Sequence, residues 1–244
     1  TGGNSSRLAV GDAGVDSVSV KVINWAKQIS WSLFDLELAA KSGNWDLVTA
    51  KEKSRKRNWD LGIQKVAFLG LEGDTSARGL YTQLGVNTNT SVIDKAISEM
   101  TATELNALLT AIIEAYRTNC ARTAWPTHFI IPESDYNGLA SVSSADFPLK
   151  TKLQLLEEAF QLITRNKSFK ILPCAYGDDA YSGLGVQKYV LLNYEEESLR
   201  MDIPVDYTNT LANSLDNFNF QNVGYGQFTG VQTYRPLEML YFTF

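Results

Sequence analysis

The sequence has few of the side chains that carry out catalysis or bind metals. Its 244 residues include one histidine, His128, and two cysteines, Cys120 and Cys174, which lie far apart. One imidazole does not make a multi-histidine metal site, and two distant cysteines do not complete one. The sequence also has no nucleophile elbow, no Walker-type phosphate loop and no recognisable Ser–His–Asp set. We therefore predict no catalytic, cofactor-binding or metal-binding residues, and no cofactor.

These scarce residues are expected to be structural. His128 lies in the short apolar sequence THFII, where a half-buried imidazole with one hydrogen-bond partner is the simplest interpretation. The two cysteines are interpreted as buried, reduced thiols, with a disulfide as the alternative.

Long apolar runs and an excess of basic residues are also missing. No run of apolar residues is long enough to cross a membrane, so we predict no membrane partner. The formal net charge is −5, which does not favour nucleic-acid binding by the molecule as a whole. The length allows one large domain or two modest ones.

Proline is absent before Pro126, which permits long helices in the first half of the chain. The stretch SLFDLELAAKSGNWDLVTAKEKSRKRNWDLGIQKVAFLG has a helical apolar period, with Ser32 as its predicted N-cap and Asp35 three residues later. Gly43 and Asn44 are its only weak point. We predict a kink there, or two helices in series with Asn44 capping the second.

The centre of this predicted helix is polar on every face. It carries five cations against one acid: Lys51, Lys53, Arg55, Lys56 and Arg57. A helix without an apolar face bridges two packed bodies or lies along a surface that another molecule covers. We predict intersubunit contacts for Lys51, Arg55 and Arg57. A solvated face without a partner and a phosphate-binding surface are the alternatives.

The residues before this helix alternate in a pattern typical of a β-strand. Residues 1–16 are rich in Gly, Ser and Asp and are interpreted as a mobile arm. Val18, Val20 and Val22 then occur at every second position. This segment has few evident partners nearby, so we predict that it projects as a ribbon or pairs with another chain. Val18, Val20, Val22 and Trp25 are its predicted intersubunit contacts.

The middle of the chain has the signals of a packed α+β unit. Thr101 and Glu104 form a predicted capping box for a helix that runs to about Arg122 and carries one apolar stripe. A short buried strand is predicted at 127–131, and a second amphipathic helix at 149–166.

The last third has the pattern of short strands. We predict strands at 169–172, 188–193, 199–205, 227–234 and 237–244, with no regular structure at 209–226. The glycine pair Gly224 and Gly226 is interpreted as a turn, because no strand and helix flank it in the way that dinucleotide binding requires.

Four phrases of the sequence carry a resemblance to a known family. They are WSLFDLELAAKSGNWDLVTAKEKSRKRNWDLGIQKVAFLG, ARGLYTQ, FIIPESDYNGLA and GVQTYRPLEMLYF. In this order, and with the predicted order of arm, ribbon, long helix, packed helix and closing strands, the chain resembles the major capsid proteins of tailed bacteriophages. Encapsulin shells share that fold. The resemblance spans the chain from about residue 17 and depends on several phrases, since no single diagnostic motif carries it.

The resemblance implies an α+β fold of the phage major-capsid, encapsulin-like type, with a long spine helix, a peripheral domain and an axial domain. It divides the chain into an N-terminal arm and extended loop at 1–31, a peripheral domain with the spine helix at 32–148, an axial domain at 149–226, and closing strands of the peripheral domain at 227–244.

The axial domain of such a subunit has loops that meet around the symmetry axis of a capsomer. Asp178 and Asp179 lie in a predicted flexible loop at 176–186, and the resemblance makes them expected intersubunit contacts. From the residues alone, a solvated loop tip is the simpler interpretation. Cation binding or glycosidase chemistry is the alternative, and a glycosidase pair normally comes from separate elements across a cleft.

The function implied is that of a non-enzymatic subunit of an icosahedral viral capsid, which self-assembles into pentamers and hexamers that enclose double-stranded DNA. Its expected partners are further copies of itself, packaged DNA bound without sequence specificity, and portal, scaffold or decoration proteins. Its expected location is the virion capsid, after synthesis in the host cytoplasm.

Three alternatives stay open from the sequence. An encapsulin nanocompartment shell has the same fold but protein cargo. A hydrolase that uses Asp178 or Glu157 would need converging carboxylates with raised pKa values in a pocket. A carbohydrate-binding module would use exposed aromatic side chains such as Tyr225 and Tyr234.

Overall fold

The chain forms two layered bodies, and strands far apart in sequence pair within each of them. The structure is a computed structural model that describes residues 19–43, 45–141, 150–214 and 216–244. Its helices are α1 Leu33–Lys41, α2 Leu47–Leu69, α3 Ala102–Asn119, α4 Glu133–Ala140, α5 Lys152–Thr164 and α6 Asp179–Ser182. Its strands are β1 Val22–Ser32, β2 Asn87–Asn89, β3 His128–Pro132, β4 Lys170–Cys174, β5 Lys188–Leu192, β6 Leu199–Arg200, β7 Val205–Asn209, β8 Asn213–Ser214, β9 Asn219–Thr229, β10 Gln232–Thr233 and β11 Met239–Thr243.

The larger body is a five-stranded sheet covered by helices. Its strand order is β2-β11-β5-β3-β4, with antiparallel pairing of β5 to both of its neighbours and parallel pairing at the two edges. The apolar faces of α3 and α5 pack on this sheet and form its main core with side chains such as Ile112, Phe129, Phe160, Leu191 and Phe242. The stripe predicted for α3 is therefore confirmed as a core-facing surface.

The smaller body, here called the ribbon layer, consists of α2 packed on a sheet with the strand order β1-β9-β7, to which β8 is added through β9. β1 and β9 pair antiparallel over eleven residues, from Val22 opposite Thr229 to Ser32 opposite Asn219. A compact cluster of Trp59, Val66 and Phe228 holds the helix on the sheet.

Local helix signals are confirmed by the structure. The Ser32 hydroxyl accepts the backbone N–H of Asp35, whose carboxylate accepts the N–H of Ser32, so the predicted capping box forms at α1. The chain breaks at Gly43, where φ is +106°, and two helices in series result. Asp46 caps α2 by accepting the N–H of Thr49. The predicted cap, Asn44, lies outside the described residues.

The predicted free ribbon is wrong in one respect, because β1 has a partner within its own chain. That partner is β9, in a region for which we predicted no regular structure as far as residue 226. Polar, glycine and aromatic residues are mixed in β9, so the strand has no clear alternation of apolar and polar positions. Its pairing with β1, which is distant in sequence, stabilises β9 as a strand. Val18 and the predicted arm at 1–16 lie outside the described residues.

The predicted domain boundary near residue 148 stays a prediction, and it does not coincide with a break in the packing. Residues 142–149 are outside the described residues, but the core on either side of them is continuous, since Leu109 and Ile112 of α3 share one cluster with Leu156 and Phe160 of α5. The predicted closing strand β11 pairs with β5 inside the same sheet. One core and one sheet therefore contain residues from both sides of positions 148 and 227.

Two smaller expectations also need correction. The strand predicted at 199–205 is two separate strands, β6 and β7, which belong to different sheets. The loop at 176–186 contains part of a 3₁₀ turn and the short helix α6. Among the described residues, no helix is both long and apolar enough to cross a membrane.

A buried carboxylate joins α4 to the segment before α3. Asp135 accepts hydrogen bonds from the backbone N–H groups of Ile97, at 3.0 Å, and Ser98, at 2.7 Å. It also accepts the phenol of Tyr189 at 2.9 Å. Burial raises the pKa of Tyr189, and the neighbouring Asp135 raises it further, so this phenol stays a neutral donor.

We expect Asp135→Ala to lower the free energy of unfolding by about 3 kcal/mol or more, because it leaves three buried donors without an acceptor. Urea denaturation followed by circular dichroism measures this. Glu133→Ala, on the exposed face of the same helix, is the control and should change stability by less than about 0.5 kcal/mol. Equal losses in the two variants would contradict the structural role of Asp135.

Candidate functional site

The ribbon layer contains most of the residues predicted to act in assembly. Side chains alternate across β1, so Ile23 and Trp25 pack toward α2 while Asn24 and Ala26 face the opposite side. The Trp25 ring lies 5.3 Å from that of Trp59, centroid to centroid, in an edge-on arrangement. Trp25 is therefore a half-buried packing residue of the layer, and its role as an intersubunit contact stays a prediction.

Val20 and Val22, in contrast, remain accessible at the start of the strand. Val20 is half-buried and Val22 is exposed. Both stay predicted contacts.

Two glycines of β9 let α2 approach the sheet closely. A Cβ atom on Gly226 would lie 2.5 Å from Cη2 of Trp59, and one on Gly224 would lie 2.7 Å from Nε of Arg55. The two glycines are two residues apart and so occupy the same face of the strand. Arg55 and Trp59 are four residues apart and occupy the same face of the helix. The glycine pair interpreted as a turn is thus the contact surface between strand and helix.

Arg55 is almost fully buried at this contact, with 2% of its surface exposed. Its Nε donates to the hydroxyl of Tyr207 at 2.9 Å, and its Nη2 donates to Oδ1 of Asn209 at 3.0 Å. Its Nη1 donates to both oxygens of Asn222, at 3.0 and 2.9 Å, and to the carbonyl of Lys27 at 3.3 Å. One guanidinium therefore joins α2 to β1, β9 and β7 through neutral oxygens. No carboxylate of the described residues makes an ion pair with it.

The intersubunit role of Arg55 stays a prediction that this burial and these hydrogen bonds do not favour. The sequence did contain a usable signal, because Arg55 is in helical phase with Trp59, Ile63 and Val66, which all face the sheet. Because Arg55 is charged, the sheet-facing stripe of α2 seemed to begin only at Trp59.

The other cations of α2 divide between the sheet side and solvent. Lys51 is half-buried and donates to the carbonyl of Ser30 at 2.7 Å. Lys53, Lys56 and Arg57 are exposed. The single acid in the run, Glu52, accepts the side-chain amide of Asn222 at 2.8 Å. Of the predicted contacts in this run, Arg57 alone has a fully exposed position.

Asp178 and Asp179 organise their own loop. The Asp178 carboxylate accepts the backbone N–H of Ser134, at 3.3 Å, and its hydroxyl, which ties the loop to the first turn of α4. Asp179 accepts the backbone N–H of Gly185. Both acids are therefore engaged within the chain, and their predicted intersubunit role stays a prediction that the geometry does not require. Neighbouring Tyr181 is 65% exposed at the same loop.

The remaining chemistry-bearing residues are structural in the described part of the chain. His128 accepts or donates a 3.0 Å hydrogen bond with Thr127, and burial, with a smaller contribution from Lys170, lowers its pKa. Cys120 and Cys174 are buried free thiols, which confirms the reduced interpretation. No group of three metal-ligating side chains occurs among the described residues.

Exposed apolar side chains gather where α1 meets the start of α2. Phe34, Leu38 and Trp45 are 70%, 68% and 56% exposed, and we call these three residues the elbow patch. Phe34 also contacts the ring of Phe218 at 5.0 Å. Leu38 and Trp45 line a shallow cavity of about 210 Å³. Adjacent exposed apolar residues of this size are typical of interaction surfaces.

A second apolar surface lies between α3 and α5. It is a groove of about 390 Å³ whose walls include Leu105, Leu109, Leu155 and Leu162. Leu162 is 80% exposed at its rim. Both surfaces are open and shallow, which is typical of protein contacts more than of small-molecule pockets.

The whole sequence, residues 1–244, matches the family model described as major capsid protein. A search of the curated proteins finds no significant match. Among solved structures, the chain is similar to the capsid of Myoviridae phage XM1, with a TM-score of 0.76, 14% identity, and coverage of 95% of this chain and 80% of that one.

Shells of other kinds are similar as well. The virus-like particle from Pyrococcus furiosus matches with a TM-score of 0.57 and 13% identity over 91% of this chain and 76% of that one. The SrpI encapsulin of Synechococcus elongatus PCC 7942 matches with a TM-score of 0.53 and 9% identity over 91% and 73%. These likenesses confirm the predicted capsid and encapsulin fold.

We expect Gly226→Ala to lower the free energy of unfolding by about 1–3 kcal/mol, because the new methyl group would overlap the Trp59 ring. Chemical denaturation measures the loss. Gly62→Ala is the matched control, since it lies in α2 with open space around its Cα and should stabilise the helix by about 0.5–1 kcal/mol. Trp59→Phe should cost less in the Gly226→Ala background than alone, and simple additivity of the two losses would contradict the contact.

Arg55→Met is expected to destabilise the ribbon layer by about 3 kcal/mol or more, because the two oxygens of buried Asn222 lose their charged donor. Arg57→Met, two residues away on the exposed side, should change stability by less than about 0.5 kcal/mol. Tryptophan fluorescence is a suitable readout, since Trp25 and Trp59 lie in this layer. A loss at Arg57 as large as that at Arg55 would show that charge alone is responsible.

Proposed function

This chain belongs to the major capsid protein family, and from that premise we propose that its copies assemble into the pentamers and hexamers of an icosahedral capsid that encloses double-stranded DNA. The observation that carries the proposal is the family match over the whole chain, supported by the fold that the chain shares with the phage XM1 capsid. A major capsid protein is a structural subunit of a viral shell, and its activity is contact between copies.

The geometry agrees with a shell subunit. Closed shells repeat the same heterologous contacts around symmetry axes, so their subunits need exposed surfaces that fit a neighbouring copy. The elbow patch and the α3–α5 groove are surfaces of this kind. Glu195, Glu196 and Asp202 line one open cavity of about 360 Å³, but Arg200 lies among them and pairs with Glu196 and Asp202. The acids named for the hydrolase alternative, Asp178 and Glu157, do not line this cavity.

The domain assignment takes a revised form. We assign the peripheral domain to the ribbon layer, with α2 as its spine helix, and the axial domain to the five-stranded sheet with α3 and α5. The loop at 176–186, with Tyr181 exposed, remains the proposed contact around the capsomer axis. Portal, scaffold and decoration proteins are further proposed partners, and synthesis in the host cytoplasm is the proposed origin.

An encapsulin shell is the second candidate. The likeness to the Pyrococcus furiosus particle and to SrpI favours it, but their TM-scores of 0.57 and 0.53 are below the 0.76 of the phage XM1 capsid. The contents of the purified particles separate the two. Double-stranded DNA supports the phage assignment, and a single enzyme cargo supports the encapsulin.

We assign the elbow patch to contact with a neighbouring copy of this chain. Every copy in a shell carries this patch, and only another copy of the chain is present in equal number to cover it. Covering a Phe or Leu side chain contributes about 1.5–3 kcal/mol per contact. The double variant Phe34→Ser, Leu38→Ser should therefore raise the protein concentration needed for assembly at least about tenfold.

Light scattering and negative-stain electron microscopy of the purified chain measure this. Circular dichroism should show that the double variant remains folded. The matched control is Glu37→Ser, Lys41→Ser, which changes two exposed residues with the same spacing on the same helix and should assemble like the unchanged chain. Normal shells from the Phe34, Leu38 variant would remove the elbow patch from the interface. A chain that stays monomeric at all concentrations would overturn the assembly proposal itself.

A further inference from the structure

The exposed side of α2 carries an unpaired positive surface. We call Lys53, Lys56 and Arg57 the cationic face. All three are exposed, and no ion pair reaches any of them within the part of the chain that the structure describes. The two other cations of the run point elsewhere, since Arg55 is buried in the sheet contact and Lys51 donates to Ser30.

Exposed cations elsewhere on the described surface are of two kinds, since Lys27, Lys41, Arg165, Lys167 and Lys170 also have no ion pair. Others lie beside carboxylates, as in the pairs Lys95–Glu104, Arg122–Glu114, Lys150–Glu158 and Arg235–Glu197. In the cationic face, Lys53 has cationic neighbours at i+3 and i+4. Like charges at this spacing destabilise a helix by a few tenths of a kcal/mol per pair. The arrangement has a small folding cost, which Glu52 and Asp60, each four residues from Lys56, offset in part.

The opposite side of the ribbon layer is free of charge over the β1–β9 pair. The residues of β1 on that side are Asn24, Ala26, Gln28 and Ser30, and those opposite them on β9 are Gln227, Tyr225, Val223 and Gln221. Asn24 accepts the side-chain amide of Gln227 at 2.8 Å, and Gln28 donates to Gln221. The cationic face thus lies on the helix side of the layer, while the opposite side of the β1–β9 pair is neutral.

We propose that the cationic face binds the phosphate backbone of double-stranded DNA inside the shell, without reading its sequence. The inference rests on the proposed function, because it takes enclosed DNA as the polyanion. Duplex DNA carries about one negative charge per 1.7 Å of its axis, so three cations within about two helical turns meet several phosphates in almost any orientation. Arg57 supplies a forked donor and the two lysines supply compact charges, and both types bind phosphate.

The net negative charge of the chain disfavours DNA binding to the rest of its surface. With a formal net charge of −5, the rest of the surface repels DNA on average. Each copy then makes a few weak contacts, while many copies in one shell hold the DNA near the wall without trapping it.

The test measures binding of a fluorescein-labelled duplex of random sequence to the purified chain by anisotropy at several salt concentrations. Three phosphate contacts predict a slope of log K against log salt of about −2.7. That slope corresponds to about a 40-fold loss of affinity between about 50 and about 200 mM salt. The triple variant Lys53→Glu, Lys56→Glu, Arg57→Glu should lose binding at all of these concentrations.

The matched control reverses three exposed cations elsewhere, Arg165→Glu, Lys167→Glu, Lys170→Glu. It changes the net charge by the same amount, so it should retain the slope if α2 is the binding surface. Equal losses in both triple variants would show that net charge governs binding and would overturn the proposal. An unchanged slope in the α2 variant would overturn it directly.

Electron microscopy of the same variants separates this inference from the assembly proposal. We expect both the α2 variant and the unchanged chain to form shells when no DNA is present. If it binds DNA normally but forms no shells, the cationic face contacts an acidic surface of a neighbouring copy, and the phosphate proposal is wrong. If the unchanged chain forms no shells but its duplex binding depends on α2, the binding inference stands and the capsid assembly proposal fails.

Discussion

The close contact between α2 and β9 is the constraint on which the ribbon layer depends. Two residues along a strand span about 6.7 Å, and four residues along a helix span about 6 Å. Gly224 faces Arg55 and Gly226 faces Trp59, so strand and helix advance together and in the same direction. Any side chain on either glycine would push the helix outward. The position of the spine helix is therefore encoded by the absence of two side chains on a strand far away in sequence.

Arg55 completes this contact in a way that an apolar side chain would not. Burying a charge without a carboxylate is costly, and here the cost is offset by several hydrogen bonds to amide, hydroxyl and carbonyl oxygens. The bonds reach three adjacent strands, and the planar guanidinium has a fixed direction for each of them. We interpret Arg55 as a residue that specifies the angle between helix and sheet, which is a different property from adding stability.

Local signals in the sequence predicted helices well and long-range pairing poorly. The capping boxes at Ser32 and Thr101 depend on residues three positions apart, and both form as expected. The pairing of β1 with β9 joins residues about two hundred positions apart, and β9 has an amide- and glycine-rich composition that disfavours strands in isolation. Its identity as a strand is thus a property of the folded molecule.

The candidate surfaces divide in the same way. The sequence shows five cations within seven residues, which is an unusual feature. It does not show which of them are buried, which face the sheet and which are exposed. That division follows from the helical phase set by Trp59 and Val66, together with the glycines that admit Arg55. The elbow patch was hidden for the opposite reason. Phe34 and Leu38 have the spacing of a core-facing stripe, and only the packing of α1 shows that this stripe faces outward.

Both bodies depend on residues from the late part of the sequence, and this has a consequence for assembly. β11 lies inside the five-stranded sheet between β2 and β5, and it contributes Leu240 and Phe242 to the main core. The ribbon layer likewise needs β9 before α2 has a surface to pack on. Until β9 and β11 have paired with their partner strands, both bodies are incomplete. The proposed contact surfaces on α1, α2 and α5 therefore acquire their fixed positions only in a subunit that is already folded, which is what a repeating shell contact would require of each copy.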